Sequence, residues 1–121
     1  MNSYVYIASP YSHPNKKIMQ DRYEAVMKYA AKCTKNGEIV YSPIAHNHAM
    51  ALHENLPHSW DFWSHIDFAF LKHAESLRVF CLDGWSESTG VKGEIEFAHK
   101  NGIIVYYYYP NVKSKKKENI Q

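Results

Sequence analysis

Leu77-Arg-Val-Phe-Cys-Leu-Asp-Gly-Trp-Ser-Glu-Ser-Thr-Gly-Val-Lys-Gly-Glu-Ile-Glu-Phe-Ala98 is the stretch that decides the fold. It opens on an apolar run, Leu77–Leu82, that reads as a buried strand. Asp83-Gly84 ends the strand, and a Ser/Thr/Gly-rich turn leads into helical spacing from Ser88 to Asn101-Gly102. The same order recurs upstream. Tyr4-Val-Tyr-Ile-Ala-Ser9 is a strand that runs into Pro10 and Pro14, which stop both ladder and helix. Asn15 caps a helix carrying Ile18, Arg22, Val26, Met27, Ala30 and Cys33 to the stop at Asn36-Gly37. Glu38–Ser42 is a second strand closed by Pro43, and Ile44–Asn55 reads as a loop with a short helix. Trp60–Glu75 is a helix after the cap Ser59, with Trp60, Trp63, Ile66, Phe70 and Ala74 as its apolar stripe. Ile103–Tyr108 is the last strand.

Helices between strands that are apolar throughout predict an α/β domain with a parallel sheet covered on both faces. In such sheets ligands bind at the carboxyl ends of the strands. Three strand exits carry unusual residues: Ser9–His13, Ser42–His48 and Asp83–Ser88. Polar groups distant in sequence are therefore expected to meet at one edge.

The 121-residue chain is one domain's worth, which excludes a two-domain enzyme with its own cofactor domain. Hydrophobic residues at 45% and charged ones at 21% are ordinary for a folded domain, so disorder is not expected. The ten tyrosines are many for so small an interior, and a pocket or subunit interface is expected to take some of them. Residues 1–110 are expected to form the domain. Residues 111–121 read as a flexible lysine-rich tail, in which Lys113, Lys115, Lys116 and Lys117 supply the basic excess. No basic face remains for polymeric nucleic acid. No apolar run approaches the ~20 residues of a membrane span, and the first residues lack a signal-peptide pattern. Cys33 and Cys81 match no metal or redox spacing and read as buried thiols. A reduced, cytoplasmic setting is expected.

The turn Ser86–Val91 is the most informative candidate site. First-turn N–H groups of a helix lack intrahelical partners, and small residues there suit an anion. Ser88 reads as the N-cap and as a hydroxyl donor, which are compatible roles. Glu94 follows in the early helix, either as a solvated carboxylate favoured by the dipole or as a functional group at the ligand edge. Glu96 lies about 200° round the helix and cannot share its role. Asp67 borders the apolar stripe of its helix, either as a surface acid or as a carboxylate with a partner or a task. His46-Asn47-His48 lacks a third ligand at a telling spacing, so no metal is expected, and these histidines read as ligand-orienting or capping residues. No glycine stands in Ser9–His13, which argues against a Walker loop or dinucleotide fingerprint. No cofactor is expected.

Taken together, Tyr6-Ile-Ala-Ser-Pro-Tyr11, an Asp in a middle helix, and Ser88-x-Gly90-Val91-x-x-Glu94-x-x-x-Ala98 resemble the nucleoside 2-deoxyribosyltransferase superfamily, which includes the 2′-deoxynucleoside 5′-phosphate N-hydrolases. Ala-Ser-Pro-Tyr-Ser-His-Pro, Arg22, Ser-Pro-Ile-Ala-His-Asn-His, Trp-x-Phe-Trp and the Leu82–Ile95 motif resemble a small branch of it. The resemblance spans about residues 4–106. It implies a flavodoxin-like three-layer sandwich with a four- or five-stranded, mainly parallel sheet, and cleavage of an N-glycosidic bond. Carried over, Glu94 is the nucleophile on the anomeric carbon, and Asp67 protonates or positions the base. Ser88 and Gly90 lie against the 5′ side. Tyr6 and Ser9 line the sugar side, Pro10 is a substrate contact beside them, and Tyr11, Trp63 and Trp85, with Trp60, can sandwich the base. His46, His48 and Asp83 are further substrate contacts, and Arg22 is either a phosphate ligand or a structural ion pair. The expected partners are a small nucleoside or nucleotide and a second copy of the chain, as a homodimer or larger. A non-catalytic binder of a nucleotide-derived ligand is the alternative.

Overall fold

Tyr6 and Ile7 are adjacent in sequence and face opposite sides of a sheet, yet both are fully buried. Only a sheet covered on both faces allows this. The computed structural model, which describes residues 3–110 and 118–120, shows that sheet. Its strands are β1 (Val5–Ala8), β2 (Val40–Tyr41), β3 (Ser76–Phe80), β4 (Val105–Tyr108) and β5 (Glu118–Ile120), in the order β2-β1-β3-β4-β5. The first four are mutually parallel, with Tyr6 opposite Tyr41 and Leu77, and Leu77 opposite Val105. β5 pairs antiparallel with β4. The helices are α1 (Lys16–Lys35), α2 (Pro43–His53), α3 (Trp60–Leu71) and α4 (Thr89–Lys100). This is the expected flavodoxin-like α/β sandwich. Lys113–Lys117 of the expected tail lie outside the described residues, and Glu118–Ile120 form the sheet's last strand.

Strand alternation sorts the core into two layers. Tyr6, Ala8, Leu77, Val79, Val105 and Tyr107 face α3 and α4, where Leu71, Val91 and Ala98 meet them. Ile7 and Phe80 face Val26 and Ala30 of α1. The tyrosine run follows the same period: Tyr107 joins the first layer and Tyr108 the second. Cys33 and Cys81 are buried free thiols, as expected.

Two elements depart from the sequence reading. Pro43 does not end a strand; it starts α2, an 11-residue helix. The first helical position has no use for the N–H that proline lacks, and Ser42 caps it by accepting from Ala45 N at 3.0 Å. α3 stops at Leu71, four residues early, and does not bury the expected stripe. Phe70 is 43% exposed, while the buried side chains of α3 are Asp67 and Leu71. Packing against α4 sets this rotation. Phe68 stacks on Phe97 with ring centroids 4.4 Å apart, and Trp60 lies across Gly90 and Gly93. A Cβ at Gly93 would stand 2.7 Å from Trp60, so glycine admits the indole.

The chain runs from β1 outward to β2 and back across to β3. The point where the order reverses, at the carboxyl ends of β1 and β3, is where such sheets form a crevice.

Candidate functional site

A cavity of about 480 Å³ opens at that point. Its wall is assembled from the ends of three strands: Ser9 after β1, Pro43 and Ile44 after β2, and Glu87–Gly90 after β3. α2 adds Asn47, His48 and Ala51, and α3 adds Trp60, Trp63 and Asp67. No lysine or arginine is among the lining residues.

Two carboxyl groups and a phenol form the floor. Glu94 lies on the buried stripe of α4 with Val91 and Ala98 and is 4% exposed. The Tyr6 hydroxyl, reaching up from β1, donates to Glu94 Oε2. Asp67 is 6% exposed, and its Oδ1 has no partner among the described residues. Burial raises both acids. Asp67 is pushed up to about 7 by loss of solvent, opposed by the nearby Tyr6 hydroxyl. Glu94 is raised well above the usual carboxylate range by burial first and by the Asp67 charge second, again opposed by Tyr6. Tyr6 itself is raised by burial and then by both carboxylates. The cluster holds protons that exposed acids would release at neutral pH.

Above the floor, Ser88 caps α4 by accepting from Val91 N at 3.2 Å. The N–H groups of Thr89 and Gly90, in the first turn, have no intrahelical acceptor and lie at the cavity wall. Ser9 Oγ is buried at the same cavity and has no partner among the described residues. Buried hydroxyls are normally paired, so a ligand atom is its natural partner.

The structure brings together Ser9, Tyr11, His48, Trp63, Asp67, Ser88, Gly90 and Glu94 of the predicted site residues. Tyr6 stands directly behind Glu94. The others do not form the wall. Pro10 is fully buried. Arg22 spans two loops, donating to Ser12 O at 3.0 Å and Asp83 O at 3.2 Å, so its guanidinium is spent on carbonyls. Asp83 enters through that carbonyl. Trp85 packs on Tyr107 with centroids 5.3 Å apart, because the turn Trp85–Glu87 directs the indole to the β4 side. His46 is exposed; its Nδ1 lies 2.8 Å from Ser42 O and its ring leans on Tyr41. The two histidines thus diverge, and among the described residues no three His, Cys, Asp or Glu side chains gather as metal ligands would. Of the tyrosines, Tyr11 alone lines the cavity; most of the others are used in the layers of the sandwich.

Asn47 and His58 are wall residues that sequence reasoning missed. Ile44, Asn47, His48 and Ala51 form an i, i+3, i+4, i+7 stripe, which shows once α2 is read as starting at Pro43. His58 lies in the loop before α3, where no period marks it.

Fold and cavity together define a flavodoxin-like α/β protein with a buried carboxyl pair at its switch-point crevice. The chain belongs to the family described as a domain of unknown function (DUF1937), whose profile matches residues 3–109. No curated protein matches it significantly. Among the described residues, no helix is long and apolar enough to cross a membrane.

Proposed function

We propose that the protein cleaves the N-glycosidic bond of a nucleoside, nucleotide or nucleotide derivative. The observation that carries this reading is the Tyr6–Glu94–Asp67 cluster: two buried carboxyl groups with no cation beside them among the described residues, at the floor of an aromatic-walled cavity. Glycosidic cleavage uses such a pair in two states, one ionised and one protonated. Burial raises Glu94 as well, and the hydrogen it accepts from Tyr6 opposes that rise, so the nucleophile is the Glu94 anion formed as the substrate's positive charge develops beside it. Asp67, raised to about 7, carries the proton.

In the first step a Glu94 oxygen bonds to the anomeric carbon while the bond to the base nitrogen breaks. The base leaves with the proton of Asp67. In the second step water attacks the same carbon, its proton returns to Asp67, and Glu94 is released as carboxylate. Hydrolysis is favoured over base exchange, because so short a chain has few elements to close over the pocket and exclude water. Trp60 and Trp63 offer flat surfaces to a base, and the first turn of α4 offers N–H groups to the 5′ side. The resemblance to the nucleoside 2-deoxyribosyltransferase superfamily belongs to this proposal. So do a cytoplasmic setting and a homodimer, the latter supported by exposed Met50, Leu52 and Phe70 on α2 and α3.

The test is base release. Wild type and Glu94→Gln are incubated with nucleosides, 5′-monophosphates and dinucleotides, and free base is read by chromatography. Release by wild type alone supports the proposal. Equal release by both, or none from any substrate with or without an acceptor base, overturns it.

A further inference from the structure

His48 stands on the α2 wall of the cavity, and its surroundings set its plane and the hydrogen bond at its Nδ1. Its ring stacks on Tyr23 with centroids 3.8 Å apart and planes 16° apart. Its Nδ1 lies 2.8 Å from the Tyr11 hydroxyl. The Tyr11 hydroxyl has no other acceptor among the described residues, so its hydrogen is paired when it donates to Nδ1. Burial first and the neighbouring His58 second hold the His48 imidazole below its ordinary pKa, so the ring is neutral at neutral pH. A neutral imidazole that accepts at Nδ1 carries its hydrogen on Nε2. Nε2 makes no hydrogen bond among the described residues, and the side chain lines the cavity. The result is an oriented N–H donor beside Ile44 and Ala51, with Trp60 and Trp63 lining the same cavity.

Resting on the glycosidase reading above, we propose that His48 Nε2–H donates a hydrogen bond to an acceptor atom of the leaving nucleobase. The substrates are then nucleosides whose base turns a ring nitrogen or carbonyl oxygen towards α2. The proton that leaves with the base is still that of Asp67. His48 keeps its hydrogen and draws off the charge that builds on the base as the bond breaks. Such a contact matters most when the base is a poor leaving group and least when it is a good one.

The experiment measures kcat/KM for wild type, His48→Phe, His48→Gln and Glu94→Gln on glycosides ordered by leaving-group acidity, with a para-nitrophenyl glycoside at the activated end. Phenylalanine keeps a ring over Tyr23 and removes the donor. The dependence on leaving-group acidity is expected to steepen in His48→Phe. The loss is about a hundredfold on the poorest leaving base and within about threefold on the best. Glutamine, which restores an N–H, recovers part of it. A uniform loss across the series, or none, overturns the proposal. In that case Glu94→Gln, inactive on every substrate that wild type cleaves, leaves the glycosidase reading standing. A wild type that cleaves nothing overturns both. Where His48→Phe does not fold, Tyr11→Phe replaces it. Freeing the tautomer steepens the series in the same sense, and an unchanged slope overturns the proposal.

Discussion

The two faces of the sheet bury charge in opposite ways. On the α1 face, Arg78 points from β3 to Glu38, its Nη1 and Nη2 donating to the two carboxylate oxygens at 3.1 and 2.8 Å, while Nη1 also reaches Tyr29 Oη at 3.0 Å. Its side chain is 12% exposed. On the α3/α4 face, Glu94 and Asp67 are buried at least as deeply as Arg78; among the described residues Glu94 accepts only from the Tyr6 hydroxyl, and Asp67 Oδ1 has no partner. The first arrangement compensates its charges, and the second leaves two acids to restrain one another. Pairing a buried guanidinium with a half-exposed carboxylate serves structure, whereas burying two acids beside one another weakens the fold.

The two faces should therefore answer pH with opposite signs. The Arg78 hydrogen bonds lower Glu38 below its ordinary value. Its contribution to stability is present above the unfolded value and is lost as pH falls through the lower, folded one. Asp67 is raised from 3.8 to about 7, so the folded chain binds that proton more tightly than the unfolded chain. Its stabilising effect is complete below the unfolded value and is lost as pH rises through the folded one.

The sharpest way to break the contrast is Glu94→Gln. Base release should fall by about a thousandfold or more while substrate binding, read by calorimetry, persists. A variant that keeps its turnover would make Glu94 another structural acid. Glu38→Gln comes next. It leaves Arg78 uncompensated, and denaturant unfolding at neutral pH should show a loss of about 2 kcal/mol, moderated by the partial exposure of Glu38. Asp67→Asn tests the opposite sign. Thermal scans should show a gain of roughly 2 kcal/mol at pH 8, less than half of it at pH 5 and little change near pH 3, together with loss of turnover. A variant less stable at pH 8 would place a cation or donor beside Asp67 and end the contrast. The smallest expected effect is that of Gly93→Ala. Its Cβ meets Trp60, so the indole must shift, at about 1 kcal/mol in stability and with a change in tryptophan fluorescence.

The layers were legible because apolar strand runs and helix caps are local signals. Asn15, Ser59 and Ser88 each cap a helix with the hydrogen bonds expected of them. Ser88 was legible for the same reason, whereas its helix placed Glu94 near the crevice without deciding between a solvated and a buried carboxylate. What sequence could not weigh was rotation. The face that α3 buries depends on Trp60 finding room over Gly93 of another helix, and this turns Asp67 inward and Phe70 outward. Pro43 misled because proline ends a strand and begins a helix with equal ease. Arg22 and Trp85 were drawn from motif position, and the groups that claim them, a backbone carbonyl at Asp83 and the ring of Tyr107, lie at other points in the chain.

Arg22 has a consequence of its own. One guanidinium joins the loop after β1 to the loop after β3, and it lies so close to Gly84, where φ is +90°, that a Cβ there would stand 2.5 Å from its Nη2. Two segments of the rim that belong to separate parts of the chain are thereby held as one rigid body. Their conformational freedom is surrendered when the protein folds, before any ligand arrives, so a molecule entering the cavity meets a rim already set. A lysine in that place could hold one carbonyl at a time, and the two loops would then have to be ordered by the ligand itself.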